Sequence, residues 1–531
     1  MGDSEELNPE FGRLRSFFWP IYRYELRKLL PMLLIFFLIT FNYNVLRTMK
    51  DTLVINGKAS GAEVIPFIKV WFMFPGAVLL TFVFTRLANR FNQETVFYSM
   101  ISLFLLFFAV FTFVLYPNRD LLHPNDLADK LQVMLPIGLK GLIAAFRNWT
   151  FTLFYVMSEI WGNIVLSLLM WGFVNQVTGL GEAKRFYALF GVGINSSGII
   201  AGWLSMQMCL GEYNPNLPFG NTAWEQTMIL LISTVLAVGI LIMVIFRWLN
   251  TKVLRDPRYY DPDEARKEQK VRGNVSMRDS FKYLMRSRYL VYLAVIVITY
   301  NVVINLVEVV WKHEVSILYP NKEDYNYYMA KITMIMGCFA TFTSMFVAGN
   351  SVRRFGWSFT AMLTPGILLI TSILFFSSYF AKEQYPDLLY GLTGMTPLAV
   401  VVFFGSLQNI MSRTAKYTVF DETREMALIP LSPDCKLKGK AVIDGVCSRL
   451  GKSSGSFIHQ SLFIVFTNIT RSMPYVAGLL ASVIGVWIVV TRLLGKQFNA
   501  LTAIKGGDVK VTEIEATIAA GSDEELTEQP A

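Results

Sequence analysis

The chain carries twelve apolar stretches, each close to the roughly 20 residues that cross a bilayer core as a helix, and this repetition restricts its fold more than any other feature. Six fall at 29–50, 66–87, 95–116, 148–175, 186–209 and 226–248; six more fall at 289–311, 327–349, 358–380, 389–412, 441–468 and 475–494. In hydrocarbon every backbone N–H and C=O needs an internal partner, so runs of this kind become helices. With 53% hydrophobic and only 16% charged residues, no soluble class fits the composition. The expectation is an all-α polytopic membrane protein with twelve transmembrane helices in two six-helix halves, 29–250 and 289–495.

The stretches between the runs complete this plan. The linker 251–288 is rich in Lys and Arg and contains Pro257, Asp261 and Pro262, which argue for a surface loop. Residues 1–28 are polar, and no cleavable targeting segment is expected before the first span. The tail 496–531 is polar and is expected to be disordered. The short apolar stretch 131–146 reads as an interfacial helix ahead of the fourth span. Basic clusters stand before span one, at Arg86/Arg90, at Lys184/Arg185, across 251–288, at Arg353/Arg354, at Lys436/Lys438/Lys440 and at Arg492/Lys496. The alternate loops lack a positive bias, so the positive-inside rule puts both termini in the cytoplasm. The net charge of +9 is assigned to those loops, and no nucleic acid partner is expected.

The halves resemble each other. Tyr43-Asn44-Val45 returns 257 residues later as Tyr300-Asn301-Val302, with Glu308 at the place of Asp51. Ser196-Ser197-Gly198 returns as Ser453-Ser454-Gly455, and Asn163-Ile164 as Asn409-Ile410. Lys184 corresponds to Lys440, and Arg90-Phe91 to Arg354-Phe355. Parallel halves about an axis normal to the membrane describe a major-facilitator-like architecture.

Charges inside the spans carry the functional information, because an ionised group in hydrocarbon is expensive and usually faces a wet path or a partner. Span one ends in Arg47-Thr48-Met49-Lys50-Asp51. Span four holds Glu159 beside Tyr155, and span seven holds Glu308, with Lys312 one turn on as a pairing partner. Span eleven holds Lys452 within Gly451-Lys452-Ser453-Ser454-Gly455, whose glycine spacing suits close helix packing. A lysine between two such glycines must reach a cavity, a carboxylate or an anion. Its counterpart in the first half is the neutral Asn195. Gly445 to Ser453 resembles a phosphate-binding loop but has one residue too many and lies in a span, so it is rejected. The four cysteines and three histidines lack metal-ligand spacing, and no nucleophile–base constellation appears. No enzyme, metal or cofactor is expected.

Several stretches carry a family resemblance: Leu46 to Val54, Phe154 to Gly162, Asn305 to Lys312, Ala415 to Asp421, Glu425 to Ala427, and Lys438 to Ala441. In these the chain resembles the non-mitochondrial ADP/ATP translocases, the nucleotide transporters of obligate intracellular bacteria and plastids. The N-terminus lacks the long Ser-rich transit segment of plastid members, which points to the bacterial ones. The resemblance implies exchange of ATP for ADP across the bacterial inner membrane by alternating access, with host ATP imported. It implies substrate binding by Lys50, Glu159, Glu308 and Lys452, with Lys440 able to share the role of Lys452. Asn195, Asp51 and Tyr155 are further candidates. Glu159 and Glu308 are expected to anchor Lys50 and Lys452 in the empty carrier. ATP and ADP are the expected substrates, phosphate an open co-substrate, and lipid the solvent. The competing reading is a proton-coupled importer of several nucleotides. A membrane enzyme and a receptor or structural protein are the readings from other classes.

Overall fold

The computed structural model describes residues 21–256, 259, 284–431, 439, 440 and 442–505. The first twenty residues, most of the linker 251–288 and the tail from 506 lie outside the described residues. The chain is helical, and its principal helices are α1 Leu26–Ile55, α2 Val64–Arg90, α3 Gln93–Leu115, α4 Trp149–Val177, α5 Leu180–Met208 and α6 Ala223–Val253. The second half holds α7 Arg288–Leu318, α8 Lys322–Phe346, α9 Phe355–Gln384, α10 Pro397–Ala427, α11 Ser448–Phe466 and α12 Ile469–Lys505. Side-chain caps mark where loops turn into helix. Asn92, Thr222, Ser287 and Thr396 each accept a hydrogen bond from the backbone N–H three residues on, opening α3, α6, α7 and α10. Gly356 opens α9 with φ +77°, a conformation that suits glycine, and so sets the bend after residues 348–354.

Eleven of these helices are long and apolar enough to cross a membrane. The exception is α11, which occupies the expected span 441–468 but carries Arg449, Lys452, His459 and Gln460 among its serines and glycines. Its polarity follows from its position, since it lines the site described below. Two sequence boundaries also move. The last helix continues to Lys505, so residue 495 falls inside α12, and the expected interfacial helix is two short helices, Asn125–Met134 and Lys140–Arg147, separated at Pro136.

Outward faces expose large apolar side chains such as Phe82, Leu106, Ile240, Phe403 and Val489, as lipid-facing helices do. The core belongs to α1 and α7, the two most buried spans. The internal repeat reappears as packing: α5 lies on α1 and on α8 of the other half, and α11 lies on α7 and on α2 of the other half. Small residues allow both crossings. A Cβ on Gly202 would stand 2.6 Å from the Ala330 carbonyl oxygen and the Met334 nitrogen, and one on Gly455 would stand 2.8 Å from Asn305 Cβ.

Contacts between the halves gather where α1, α5, α7 and α11 finish. Gln460 donates to the Pro66 carbonyl at 2.9 Å, Thr52 to Asn326 Oδ1 at 3.3 Å, and the Cys209 thiol to the Glu323 carbonyl at 3.3 Å. Gly138 approaches the Ile464 backbone so closely that a Cβ there would meet Ile464 Cα at 2.5 Å. That end of the bundle is closed.

Candidate functional site

Tyr43, Arg47, Lys50 and Asp51 fall on neighbouring turns of α1, so their side chains leave one side of the helix. Lys50 Nζ lies 3.0 Å from Glu159 Oε1 on α4 and 2.9 Å from Asp51 Oδ1. It stands 3.8 Å from the centroid of the Tyr155 ring, which holds the ammonium from its face. The Tyr43 hydroxyl donates to Glu159 Oε2 at 3.4 Å. One turn beyond Glu159, α4 widens into a π-helical stretch, Gly162–Met170. Similar turns contain Lys69 (Ile68–Met73), begin three residues after Arg413 (Lys416–Phe420) and end five residues before Lys452 (Ile443–Cys447), in keeping with their frequent occurrence at functional sites.

The network then crosses to the second half. Lys312 Nζ is 2.7 Å from Asp51 Oδ2 and 2.9 Å from Glu308 Oε1, four residues earlier on α7. Glu308 also receives Arg413 of α10 at 2.8 Å and Lys69 of α2 at 3.5 Å. Arg413 is aligned by Asn409 at 3.1 Å, and Lys69 by Asn305 at 2.7 Å. Lys50, Asp51 and Lys312 are buried, and Glu159 keeps a fifth of its side-chain surface open. The result is one chain of charge, from Glu159 through Lys50, Asp51 and Lys312 to Glu308 and Arg413. With Lys69, which also reaches Glu308, four cations face three carboxylates, leaving an excess of one positive charge.

Lys452 stands apart from that chain. It is exposed although it lies along a helix of the bundle, and its side chain makes no hydrogen bond or ion pair among the described residues. Glu159, Lys416, Arg413 and Tyr417 lie within its electrostatic reach, so it faces the same space between the halves. Glu159 and Glu308 were expected to anchor Lys50 and Lys452, and neither forms an ion pair with Lys452 among the described residues. Glu308 is occupied by Lys312, Arg413 and Lys69, whereas Glu159 does hold Lys50.

The remaining candidates separate clearly. Asp51 and Tyr155 are in the network, and the Tyr155 hydroxyl is buried without a partner among the described residues. Asn195 donates to Ser344 Oγ of α8 at 2.8 Å, which makes it a contact between the halves. Lys440 pairs with Glu425 at 2.6 Å on an exposed edge and does not join the network. Sequence reasoning named neither Lys69 nor Arg413, although Lys69 is a charge inside an apolar run, which was the available signal.

A stretch of buried, mutually paired charge linking two halves, with cations left over, is suited to binding an anion and reporting its presence to the relative position of the halves. Comparisons with known proteins agree with that architecture. Among solved structures, a D-xylose–proton symporter superposes with a TM-score of 0.53 at 12% identity, covering 89% of this chain and 97% of that one. A bacterial homologue of the iron transporter ferroportin, in its inward-facing state, also gives 0.53, at 14% identity over 89% of this chain and 98% of that one. These likenesses show the major-facilitator-like fold. Among sequences, ADP,ATP carrier protein 1 of Chlamydia pneumoniae is 44% identical over 504 residues, 94% of this chain and 96% of that one. A chloroplastic ADP,ATP carrier protein 2 of Arabidopsis thaliana is 40% identical over 90% of this chain and 75% of its own length. The model of the TLC ATP/ADP transporter family matches residues 4–498, and the chain belongs to that family.

Proposed function

We propose that the protein exchanges ATP for ADP across a bacterial inner membrane by alternating access, bringing ATP in and sending ADP out. The observation that carries this reading is the buried charge network from Glu159 to Arg413, together with the unpaired Lys452 across the cavity. Lys50 and Lys452, one from each half, act as point charges for the phosphates. In the empty carrier Lys50 is held by Glu159 and Asp51. Phosphate oxygens compete with those carboxylates for Lys50, and freeing Asp51 and Glu159 from it perturbs the Asp51–Lys312 pair that ties the halves together. A carrier whose closure depends on that competition reorients when loaded, as exchange requires. Trading a nucleotide of charge four for one of charge three moves one charge, worth roughly 2.3 kcal/mol per 100 mV.

The orientation follows from the basic loops. With both termini cytoplasmic, the closed end faces outward and the cavity opens to the cytoplasm. Each of Asp51, Glu159 and Glu308 already has a cationic partner, which favours exchange over a mechanism that cycles a proton on a free carboxyl. Uptake of labelled ATP into proteoliposomes, empty or preloaded with ADP, tests the reading. Uptake confined to loaded vesicles is expected. Uptake into empty vesicles driven by a proton gradient would establish the importer instead.

A further inference from the structure

Arg47 has no role in the network just described, yet it lies beside it. It follows Tyr43 by four residues and precedes Lys50 by three on α1, and both of those neighbours reach Glu159. Arg47 itself is half-buried, and its side chain makes no hydrogen bond or ion pair among the described residues. It stands within electrostatic reach of Glu159 and Glu308, one from each half, and of Tyr43 and Tyr417. Both carboxylates are already engaged, Glu159 by Lys50 and Tyr43, and Glu308 by Lys312, Lys69 and Arg413. The buried layer of Lys50, Asp51 and Lys312 separates Arg47 from the closed end, so its guanidinium cannot reach water on that side. In the second half the equivalent position, 257 residues on, is Ile304, so the guanidinium is not part of the repeated scaffold.

A guanidinium kept within a membrane helix bundle without a counter-charge is costly, and an anion entering the cavity removes that cost. Arg presents a planar fork that binds two phosphate oxygens at once, which an ammonium does not. Arg47 and Lys452 together raise the excess positive charge around the cavity from one to three, matching a nucleoside diphosphate. We infer that Arg47 is a specificity-determining residue that grips the outer phosphates of the substrate, so that di- and triphosphates are preferred over monophosphates. This inference rests on the nucleotide reading above and assigns to that site the selection of phosphate chain length.

The test uses the full chain, unsubstituted and as Arg47→Gln and Arg47→Lys, reconstituted in ADP-loaded vesicles with ATP, ADP and AMP as competitors. Arg47→Gln is expected to raise the apparent KM for ATP and ADP by about tenfold or more while changing inhibition by AMP by less than about twofold, and Arg47→Lys to recover only part of the loss. Equal weakening of all three nucleotides, or full recovery by lysine, would overturn the inference. Inorganic tripolyphosphate supplies a readout independent of transport. It is expected to raise the thermal unfolding temperature of the solubilised unsubstituted protein and, at the same concentration, to raise that of Arg47→Gln clearly less, the ligand-free unfolding temperature of the variant serving as the folding control. A tripolyphosphate shift undiminished in Arg47→Gln counts against the inference. An Arg47-dependent shift in a protein that exchanges no nucleotide would uphold the anion site and refute the nucleotide reading.

Discussion

Asp51 of the first half and Lys312 of the second meet at 2.7 Å, with neither side chain more than 2% exposed. Buried ion pairs recover little net stability, but removing one partner strands a charge at a cost of about 3–5 kcal/mol. The pair sits at the closed end of the molecule and ties its two halves. Asp51→Asn is therefore expected to lower the thermal unfolding temperature sharply and to abolish exchange. The double variant Asp51→Asn/Lys312→Met removes both charges, and its loss of stability is expected to be smaller than the sum of the single losses, because Lys50 keeps Glu159, and Glu308 keeps Arg413 and Lys69. Additive losses in the cycle would show that the two residues do not act as a pair.

The two lysines assigned to the phosphates are expected to behave differently. Lys50→Gln takes the ion-pair partner from Glu159 and leaves Asp51 with Lys312 alone, and so costs folding stability as well as exchange. Lys452→Gln removes a side chain with no ionic partner among the described residues. Its unfolding temperature is expected to stay within a few degrees of the unsubstituted protein while the apparent KM for ATP rises, by about tenfold for a charge-assisted contact. Unfolding curves and exchange kinetics on the same preparations check the split. Loss of stability in Lys452→Gln would mean that it pairs with a group of the protein itself.

Much of this site was readable before any coordinates. Lys50, Asp51, Glu159, Glu308 and Lys452 stand out because hydrocarbon penalises charge, and the penalty is visible one residue at a time. The pairing was less readable. Lys312 could be matched to Glu308 by helical spacing, and it does make that contact at 2.9 Å, but its second partner, Asp51, lies 261 positions away and depends on how the halves meet. Arg413 escaped notice because the apolar run ends at 412, where a terminal cation is unremarked. Continuation of α10 to Ala427 places it inside the span instead. Asn195 shows the limit of symmetry: its match with Lys452 suggested the cavity, whereas its amide donates to Ser344 Oγ of the other half.

Lys440 provides a control. Its pair with Glu425 has both side chains more than two-fifths exposed, and exposed pairs contribute only about 0–1 kcal/mol. Lys440→Gln is expected to retain exchange within about twofold and to lower stability little. A loss as large as that of Lys452→Gln would return Lys440 to the binding site.

His123 lies between α3 and α4, outside the spans, with Nε2 2.7 Å from the Thr150 hydroxyl. Burial holds its pKa below the usual 6.5; Asp120 opposes that shift, while Arg119 and Lys322 reinforce it. A histidine depressed in the folded state binds fewer protons there than when unfolded, so its stabilising contribution is complete above pH 6.5 and is lost as the pH falls through and below that value. Unfolding temperatures measured from pH 7.5 to 5 are expected to decline less steeply in His123→Gln than in the unsubstituted protein. Parallel curves would exclude this histidine as a source of acid sensitivity.

Gly202 tests whether closure of the outer end is needed for transport. Its backbone lies against α8 of the other half, and an added Cβ would stand 2.6 Å from Ala330 O and Met334 N and 2.8 Å from Met334 Cα. These are backbone atoms, so no side chain can turn aside, and α5 must move away from α8. Close helix approach in membranes relies on such small residues, since lipid offers no hydrophobic force to hold helices together. The residues of the charge network are untouched by the change. Gly202→Ala is thus expected to keep substrate binding, read as protection against thermal unfolding by ADP, while exchange falls by about tenfold or more because the closed arrangement is destabilised by over about 1.4 kcal/mol. Cysteines introduced together at positions 52 and 326, whose side chains meet between the halves at 3.3 Å, and cross-linked with a short reagent report the same closure, and their yield is expected to fall in the Gly202→Ala background. Undiminished cross-linking alongside lost exchange would place the defect away from the closed end.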